Sequence, residues 1–278
     1  MLDRQESSHC VRVMRHRPGD VVSVVDGVGS RYRCRITEAD PDGVSFEVLS
    51  VEEGFGSHPY RLRMAVAPPK NMERFEWFAE KATEMGIDRI TPLLCDYSER
   101  KVLKIERLER LAVSAAKQSH KGAVPQIDPL TGFDAFLASL PDDSLRFIAC
   151  CDDVAPFGAS KEPLALLLRQ NTGVTAAKGG LAPASGRPGA PEILEPPECR
   201  ISSGGAEAYP AEPPLSASIP AEPPLITIMI GPEGDFSRRE IEAALARGWK
   251  PVSLGESRLR IETAALTAVA AVYLEYSM

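Results

Sequence analysis

Along the first 65 residues, apolar positions alternate with polar ones at short range. Val11, Val13, Val21, Val22, Val24 and Val25 sit among polar neighbours. Arg31-Tyr32-Arg33-Cys34-Arg35-Ile36 alternates strictly, with the arginines on one face, and Val44-Ser45-Phe46-Glu47-Val48-Leu49 alternates again. A period of two belongs to half-buried strands. Pro18-Gly19-Asp20, Asp26-Gly27-Val28-Gly29 and Asp40-Pro41-Asp42-Gly43 punctuate the run as turns. Residues 9–65 therefore read as β, and short strands with frequent turns predict a small barrel, too light in helix to be a catalytic body.

The period then changes. Arg61 to Ala67 is a strand running into Pro68-Pro69-Lys70. Met72, Phe75, Phe78, Ala79, Ala82 and Met85 recur at helical spacing up to Gly86. Ile87 to Leu94 is a strand. Lys104 to His120 is a helix with Ile105, Leu108, Leu111, Ala112 and Ala115 inward. Phe133 to Leu140 is a short helix, Leu145 to Cys151 a strand and Pro163 to Arg169 another short helix. Leu225 to Ile230 is an apolar, largely branched run interrupted only by Thr227, as a strand covered on both faces requires. Alternating strands and helices predict a largely parallel sheet with helices on both sides.

Between these elements the composition breaks. Residues 170–224 hold eleven of the 24 prolines, seven glycines and one aromatic residue, and Pro-Ala-Glu-Pro-Pro-Leu occurs at 210–215 and again at 220–225. Such a stretch cannot bury enough apolar surface to offset its ordering cost, so it is expected to be a disordered or extended insertion.

Composition narrows the class. The 278 residues, 44% hydrophobic and 26% charged, suffice for a real core. No run is long and apolar enough for a membrane span, and Met1-Leu2-Asp3-Arg4-Gln5-Glu6 has no signal-peptide character. Cys10, Cys34, Cys95, Cys150, Cys151 and Cys199 contain no C-x-x-C pair, and with four histidines they form no zinc pattern. Reduced thiols in a cytoplasmic protein are expected. The net charge of −7 argues against a general nucleic-acid coat, but six Arg against two Asp lie between Val11 and Arg35, and seven Lys or Arg against three Glu between Ser98 and Lys121. These are candidate RNA contacts or the solvated faces of strands and a helix.

Candidate chemistry gathers near the C-terminus. The strand at 225–230 stops at Gly231-Pro232-Glu233-Gly234, and Ser237-Arg238-Arg239-Glu240 then opens a helix as a capping box. Strand, glycine loop and helix start make the usual ligand corner of an open α/β sheet. No G-x-x-x-x-G-K-[ST] is present, so this is not a P-loop. A second corner follows, where a strand ends at Leu254-Gly255 and a helix begins near Arg260-Ile261-Glu262. Glu262 in a first helical turn is favourable for electrostatic reasons alone.

Ile230-Gly231-Pro232-Glu233-Gly234, followed by Leu254-Gly255-x-x-x-Leu259-Arg260-x-Glu262-Thr263-Ala264, resembles the RsmE family of uridine-N3 methyltransferases of 16S ribosomal RNA, in the SPOUT superfamily. His9-x-x-x-Val13-Met14-Arg15 with Pro18-Gly19-Asp20 resembles its PUA-like barrel. Lys81-x-x-Glu84-Met85-Gly86 with Ile90-Thr91-Pro92-Leu93 resembles its sheet entry, and Lys117-Gln118-Ser119 with Val124-Pro125 and Ile127 its central motif. The resemblance covers nearly the whole chain outside 170–224. It implies an α/β fold in two parts: a PUA-like RNA-binding barrel over 1–66, and a parallel-sheet SPOUT domain over 67–278 with a deep trefoil knot. It also implies S-adenosyl-L-methionine as cofactor, a homodimer, and 16S rRNA of the small ribosomal subunit as partner.

Uridine N3 carries a proton, so methylation needs a group to take it, or donors to stabilise charge on O2 and O4. On the resemblance, Arg260 is the candidate donor and Glu233 and Glu262 are the candidate carboxylates. Alternatively Arg260 bonds Glu233 or Glu262 and braces the fold. Ile230, Gly231, Pro232, Glu233, Gly234, Leu254, Gly255, Leu259 and Arg260 are expected to line the cofactor, with Cys151-Asp152 as a further wall. Arg12, Arg15 and Arg17 on the barrel, and Lys117, His120 and Lys121 in the central motif, are the candidate RNA contacts. The insertion at 170–224 falls inside the catalytic domain and is unusual for the family, and the chain departs from it in three further places. Only eight residues precede His9, where a further strand is expected; Lys121 stands where many members have Arg; and Asp235 replaces a glycine often seen after Pro-Glu-Gly. A ribose 2′-O-methyltransferase of the same superfamily and a non-catalytic RNA-binding assembly protein remain the alternatives.

Overall fold

The computed structural model describes residues 1–141, 144–151, 154–171 and 223–277. Of the Pro-rich segment 170–224 expected to be disordered, residues 172–222 fall outside them, as do Asp152 and Cys199, while Gln170 and Asn171 end a helix.

The N-terminus departs from the β reading. A short helix, α1 (Arg4–Ser8), is capped by Asp3, whose carboxylate accepts from the Glu6 N–H at 2.8 Å. It runs on as a wide helical turn over His9–Val13. Val11 and Val13 are thus wound, not extended. The apolar contacts that decide this come from Cys10, which packs with Ile36 and Val44, while Val13 faces solvent. Buried Ser7 fixes the turn: its hydroxyl accepts from the Val44 N–H at 2.9 Å and donates to the Leu2 carbonyl at 3.3 Å. The strands β1 (Val21–Val25), β2 (Ser30–Glu38) and β3 (Ser45–Glu53) then form an antiparallel meander, as their alternation predicts.

All remaining strands belong to a second, parallel sheet. They are β4 (Arg61–Val66), β5 (Arg89–Leu94), β6 (Gln126–Ile127), β7 (Thr131–Gly132), β8 (Leu145–Ala149), β9 (Glu162–Pro163), β10 (Leu225–Ile230) and β11 (Lys250–Ser253). Their order is β6-β5-β4-β10-β8-β11-β9, with β7 beside β5. Residues 61–66 therefore close no barrel. They form an inner strand beside β10. β10 lies between β4 and β8, with Ile230 level with Val66 on one side and Ala149 on the other.

The side chains of β10 alternate between two cores. Ile226, Ile228 and Ile230 pack with α2 (Met72–Met85), α3 (Ile105–Gln118), α5 (Leu164–Asn171) and α7 (Ile261–Ser277), through Phe75, Phe78, Leu108, Leu167, Val269 and Val272. Met229 joins Phe133 and Phe136 of α4 (Phe133–Ala138) and Ile241 and Ala244 of α6 (Arg238–Leu245) on the other face. Both faces are covered, as the unbroken apolar run of β10 predicts. Among the described residues no helix is long and apolar enough to cross a membrane.

The meander is joined to the sheet through the loop after α3. Val124 N–H donates to the Gly27 carbonyl at 2.9 Å, and Gly29 N–H donates to the Gly122 carbonyl at 3.0 Å. A Cβ on Gly122 would lie 2.1 Å from the Phe55 carbonyl oxygen, so only glycine permits this approach. Lys117 adds an ion pair to Glu6 at 2.5 Å.

Candidate active site

In a parallel sheet all strands end on the same side, and ligands gather where the strand order reverses. Here β10 returns to the centre of the sheet between β4 and β8. A cavity of about 780 Å³ opens beyond the C-terminal ends of β8, β10 and β11. Ile230, Gly231, Pro232, Glu233, Gly234, Leu254, Gly255, Leu259 and Arg260 all stand in its wall, and Glu262 joins them. Cys151 lines it too, while Asp152 is outside the described residues.

The loop after β10 is fastened to its surroundings. The capping box predicted at Ser237 and Glu240 is formed in both directions. Glu240 is fully buried; its carboxylate accepts from the Ser237 N–H at 2.8 Å and from the Asp96 N–H at 2.9 Å. Asp96 in turn accepts from the Ser237 hydroxyl at 2.6 Å and from the Arg239 guanidinium at 3.1 and 3.2 Å. The bonds from Arg239 and Ser237 hold the Asp96 carboxyl below the usual aspartate range. Glu233 accepts from the Lys70 N–H at 3.1 Å, tying the loop to the end of β4. Asp235 takes the left-handed conformation, with φ +65°, and accepts from the Cys151 N–H at 2.6 Å. A left-handed position suits glycine, and Asp among the few alternatives, so the departure at Asp235 keeps the turn and adds a bond.

The loop after β11 is held mainly from within. The Ser253 hydroxyl donates to the Gly255 carbonyl at 3.1 Å and accepts from the Gly255 N–H at 3.2 Å. Gly255 has φ +118°, and a Cβ there would meet no protein atom within 4 Å. Its main chain stands in the cavity wall with open space beside it, in a backbone conformation that favours glycine.

The three candidate reactive groups differ. Arg260 is exposed and its guanidinium has no ion pair with a described residue. The bracing alternative, in which it bonds Glu233 or Glu262, is not realised. Glu262 is buried in the first turn of α7, and its partner is Arg74 of α2, with Nε 3.7 Å from its Oε1. Glu233 is exposed. Sequence reasoning missed Arg74, which also lines the cavity. Its signal was positional: it lies in the first turn after β4, and the side of the sheet where strands end collects the β4–α2 connection as well. Lys161 lines the same cavity and donates to the Cys150 and Cys151 carbonyls at 3.3 and 2.9 Å.

The candidate RNA residues lie elsewhere. Arg12, Arg15 and Arg17 are exposed around the helical N-terminal turn, and Lys117, His120 and Lys121 end α3 and open its following loop. None of the six lines the cavity. The two segments are tied through Glu6, which pairs with Lys117. Cys10, Cys34 and Cys95 are buried, and burial pushes their thiols up, which suits packing and not nucleophilic work.

Comparison with known proteins agrees with this arrangement. A family described as RNA methyltransferase domain matches residues 56–178 and 207–273, and one described as RNA methyltransferase PUA domain matches residues 2–49. The chain is 28% identical over 267 residues to the ribosomal RNA small subunit methyltransferase E of Synechocystis sp., covering 94% of this chain and 68% of that protein. A crystal structure of a probable rRNA-methyltransferase from Porphyromonas gingivalis superposes with a TM-score of 0.73 at 31% identity, over 99% of this chain and 93% of the other. The ribosomal RNA small subunit methyltransferase E of Neisseria gonorrhoeae, solved with S-adenosyl methionine, shares the fold with a TM-score of 0.64 at 21% identity, over 96% and 88% of the two chains. The chain belongs to the RNA methyltransferase family, of the RsmE type, with a PUA-type domain at its N-terminus.

Proposed function

We propose that this family member moves a methyl group from S-adenosyl-L-methionine to N3 of one uridine in 16S rRNA of the small ribosomal subunit. The carrying observation is that Arg260, without an ion pair among the described residues, lines the same cavity as Glu233 and Glu262, beside an open glycine main chain. The residues present fit the cofactor: the cavity has the volume of a small-ligand site, with apolar walls at Ile230, Leu254 and Leu259 and a backbone edge at Gly255 with open space beside it. When bound, the cofactor supplies an electrophilic sulfonium methyl group.

The remaining work falls to the chain. A carboxylate, Glu233 or Glu262, accepts the N3 proton as the new N–CH3 bond forms. Arg260 donates to O2 or O4, where negative charge accumulates, and the absence of an ion pair with any described residue leaves its donors available. Arg74 holds the Glu262 carboxylate against the cavity wall. The backbone around Ile230, Gly231, Pro232, Gly234, Leu254, Gly255 and Leu259 orients the donor, and the apolar walls exclude water.

The wider reading follows the same family. Arg12, Arg15, Arg17, Lys117, His120 and Lys121 contact RNA phosphate, which suits the exposure of the first five, the half-buried position of Lys121 beside them and the bond between their two segments. A trefoil knot is supported by β11 lying between β8 and β9, so that the connections after β8 and β10 span overlapping parts of the sheet. A homodimer is supported by the exposed apolar residues Trp77, Leu166, Tyr273 and Leu274 on the helices of one face. Action on ribosomal RNA sets the protein in the cytoplasm. Mass spectrometry of small-subunit RNA from a deletion strain tests the reaction. One lost N3-methyluridine, restored by the gene, is expected; a lost 2′-O-methyl group or no change would overturn it.

A further inference from the structure

A second concavity, of about 350 Å³, is lined by Lys70, Glu99, Arg100, Lys101 and Val102. It adjoins the larger cavity through Lys70, whose N–H bonds Glu233 in the cavity wall. Three cations meet one carboxylate there, in a chain that is acidic overall. Glu99 pairs with Lys70 at 3.2 Å. Arg100 spends one guanidinium N–H on the Lys70 carbonyl at 2.6 Å. Its Nε is buried and has no hydrogen-bond partner. Lys101 is exposed and makes no ion pair with a described residue.

A buried, unused guanidinium donor is costly unless an acceptor arrives. Cationic donors of this kind, an arginine fork beside a lysine point charge, recognise oxyanions. We propose that this recess is a phosphate subsite: it holds a backbone phosphodiester of the substrate RNA next to the nucleotide that enters the cavity. The assignment rests on the chain's acting on RNA. A strand delivering a base to Glu233 passes close to Lys70, because Lys70 lines the recess and its N–H bonds Glu233 in the wall of the larger cavity. The phosphate accepts from Lys101 and from the Arg100 guanidinium, and thereby fixes the strand's register before the base is committed. The subsite is separate from the six basic residues described above. Those lie on the meander and the end of α3, whereas this one flanks the reacting nucleotide.

The other oxyanion source is the carboxylate of the cofactor's amino-acid end, and the experiment separates the two. Binding of small ribosomal subunits from a strain lacking this gene is measured against salt for the unaltered protein, K101Q, R100Q and K101R. Calorimetry of S-adenosyl-L-methionine binding is run on the same proteins. K101Q is expected to weaken subunit binding about tenfold. It should also flatten the slope of log affinity against log salt by about 0.7, with cofactor affinity within about twofold and K101R restoring the slope. R100Q is expected to behave alike; because Arg100 also bonds the Lys70 carbonyl, the exposed Lys101 variant decides the case if R100Q misfolds. Unchanged subunit affinity and slope in K101Q, or a loss of cofactor affinity alone, would overturn the proposal. Failure of the unaltered protein to bind the subunit would refute the RNA reading itself and this subsite with it.

Discussion

The two loops that line the cavity are held in opposite ways. The loop after β10 is fastened from outside: Glu233 to the end of β4, Asp235 to the end of β8, and Ser237 with Glu240 to the segment after β5. The loop after β11 is closed mainly upon itself, through Ser253 and Gly255, and 255–258 are exposed. The difference assigns labour. Groups that must not reorganise when charge moves belong on a wall fixed by several strands. On the proposed reading, groups that must meet an incoming substrate keep their donors unspent, and Arg260 makes no ion pair with a described residue. The fixed loop gives shape and the self-contained loop gives reach.

That contrast can be broken at three places. The largest effect is expected from Arg260→Ala, which should lower single-turnover methylation roughly 10²–10³-fold, the scale for one donor to a developing oxyanion. Unfolding free energy in urea should stay within about 0.5 kcal/mol, as for an exposed residue without partners; a parallel loss of stability would mean that Arg260 braces the loop after all. Next comes Glu240→Gln. One amide oxygen cannot serve both the Ser237 and Asp96 N–H groups, so a buried donor is left unmet at a cost of about 2 kcal/mol. The same titration measures it, and a neutral result would remove the distinction between the loops. The smallest is Asp96→Asn, about 1 kcal/mol for a partly exposed networked pair. Its sign with pH is set by the lowered folded-state pKa. The stabilisation is complete above the ordinary aspartate value of about 3.9 and is lost as pH falls through the lower folded value. Unfolding curves of Asp96→Asn and the unaltered protein should therefore differ at pH 7 and converge in stronger acid.

Much of this was legible in the chain because the signals are local. The period change at Met72, the apolar run at 225–230 and the Ser237–Glu240 box each report on a few neighbouring residues, and each forms the element it predicts. The nine residues named for the cofactor line one cavity because parallel strands end together. What the chain conceals is set by partners far apart in sequence. Arg74 meets Glu262 across 188 positions, and neither neighbourhood announces the other. The winding at His9–Val13 was hidden by a short valine alternation, and turns on how Ser7 and Cys10 meet Val44. Strand 61–66 joins the parallel sheet through β10, made long afterwards.

That late strand has a consequence for how the protein is born. β10 is the strip between β4 and β8, yet 75 residues separate the end of β8 at Ala149 from its own first residue, Leu225. At ribosomal speeds of about 5–20 residues per second, β4 and β8 wait roughly 4–16 s with open edges facing one another. Exposed edges are templates for the wrong partner. Lengthening the intervening chain adds little to the equilibrium cost, about 0.6 kcal/mol per doubling, but it lengthens the wait directly. The burden of the Pro-rich stretch therefore falls on the nascent chain more than on the finished fold.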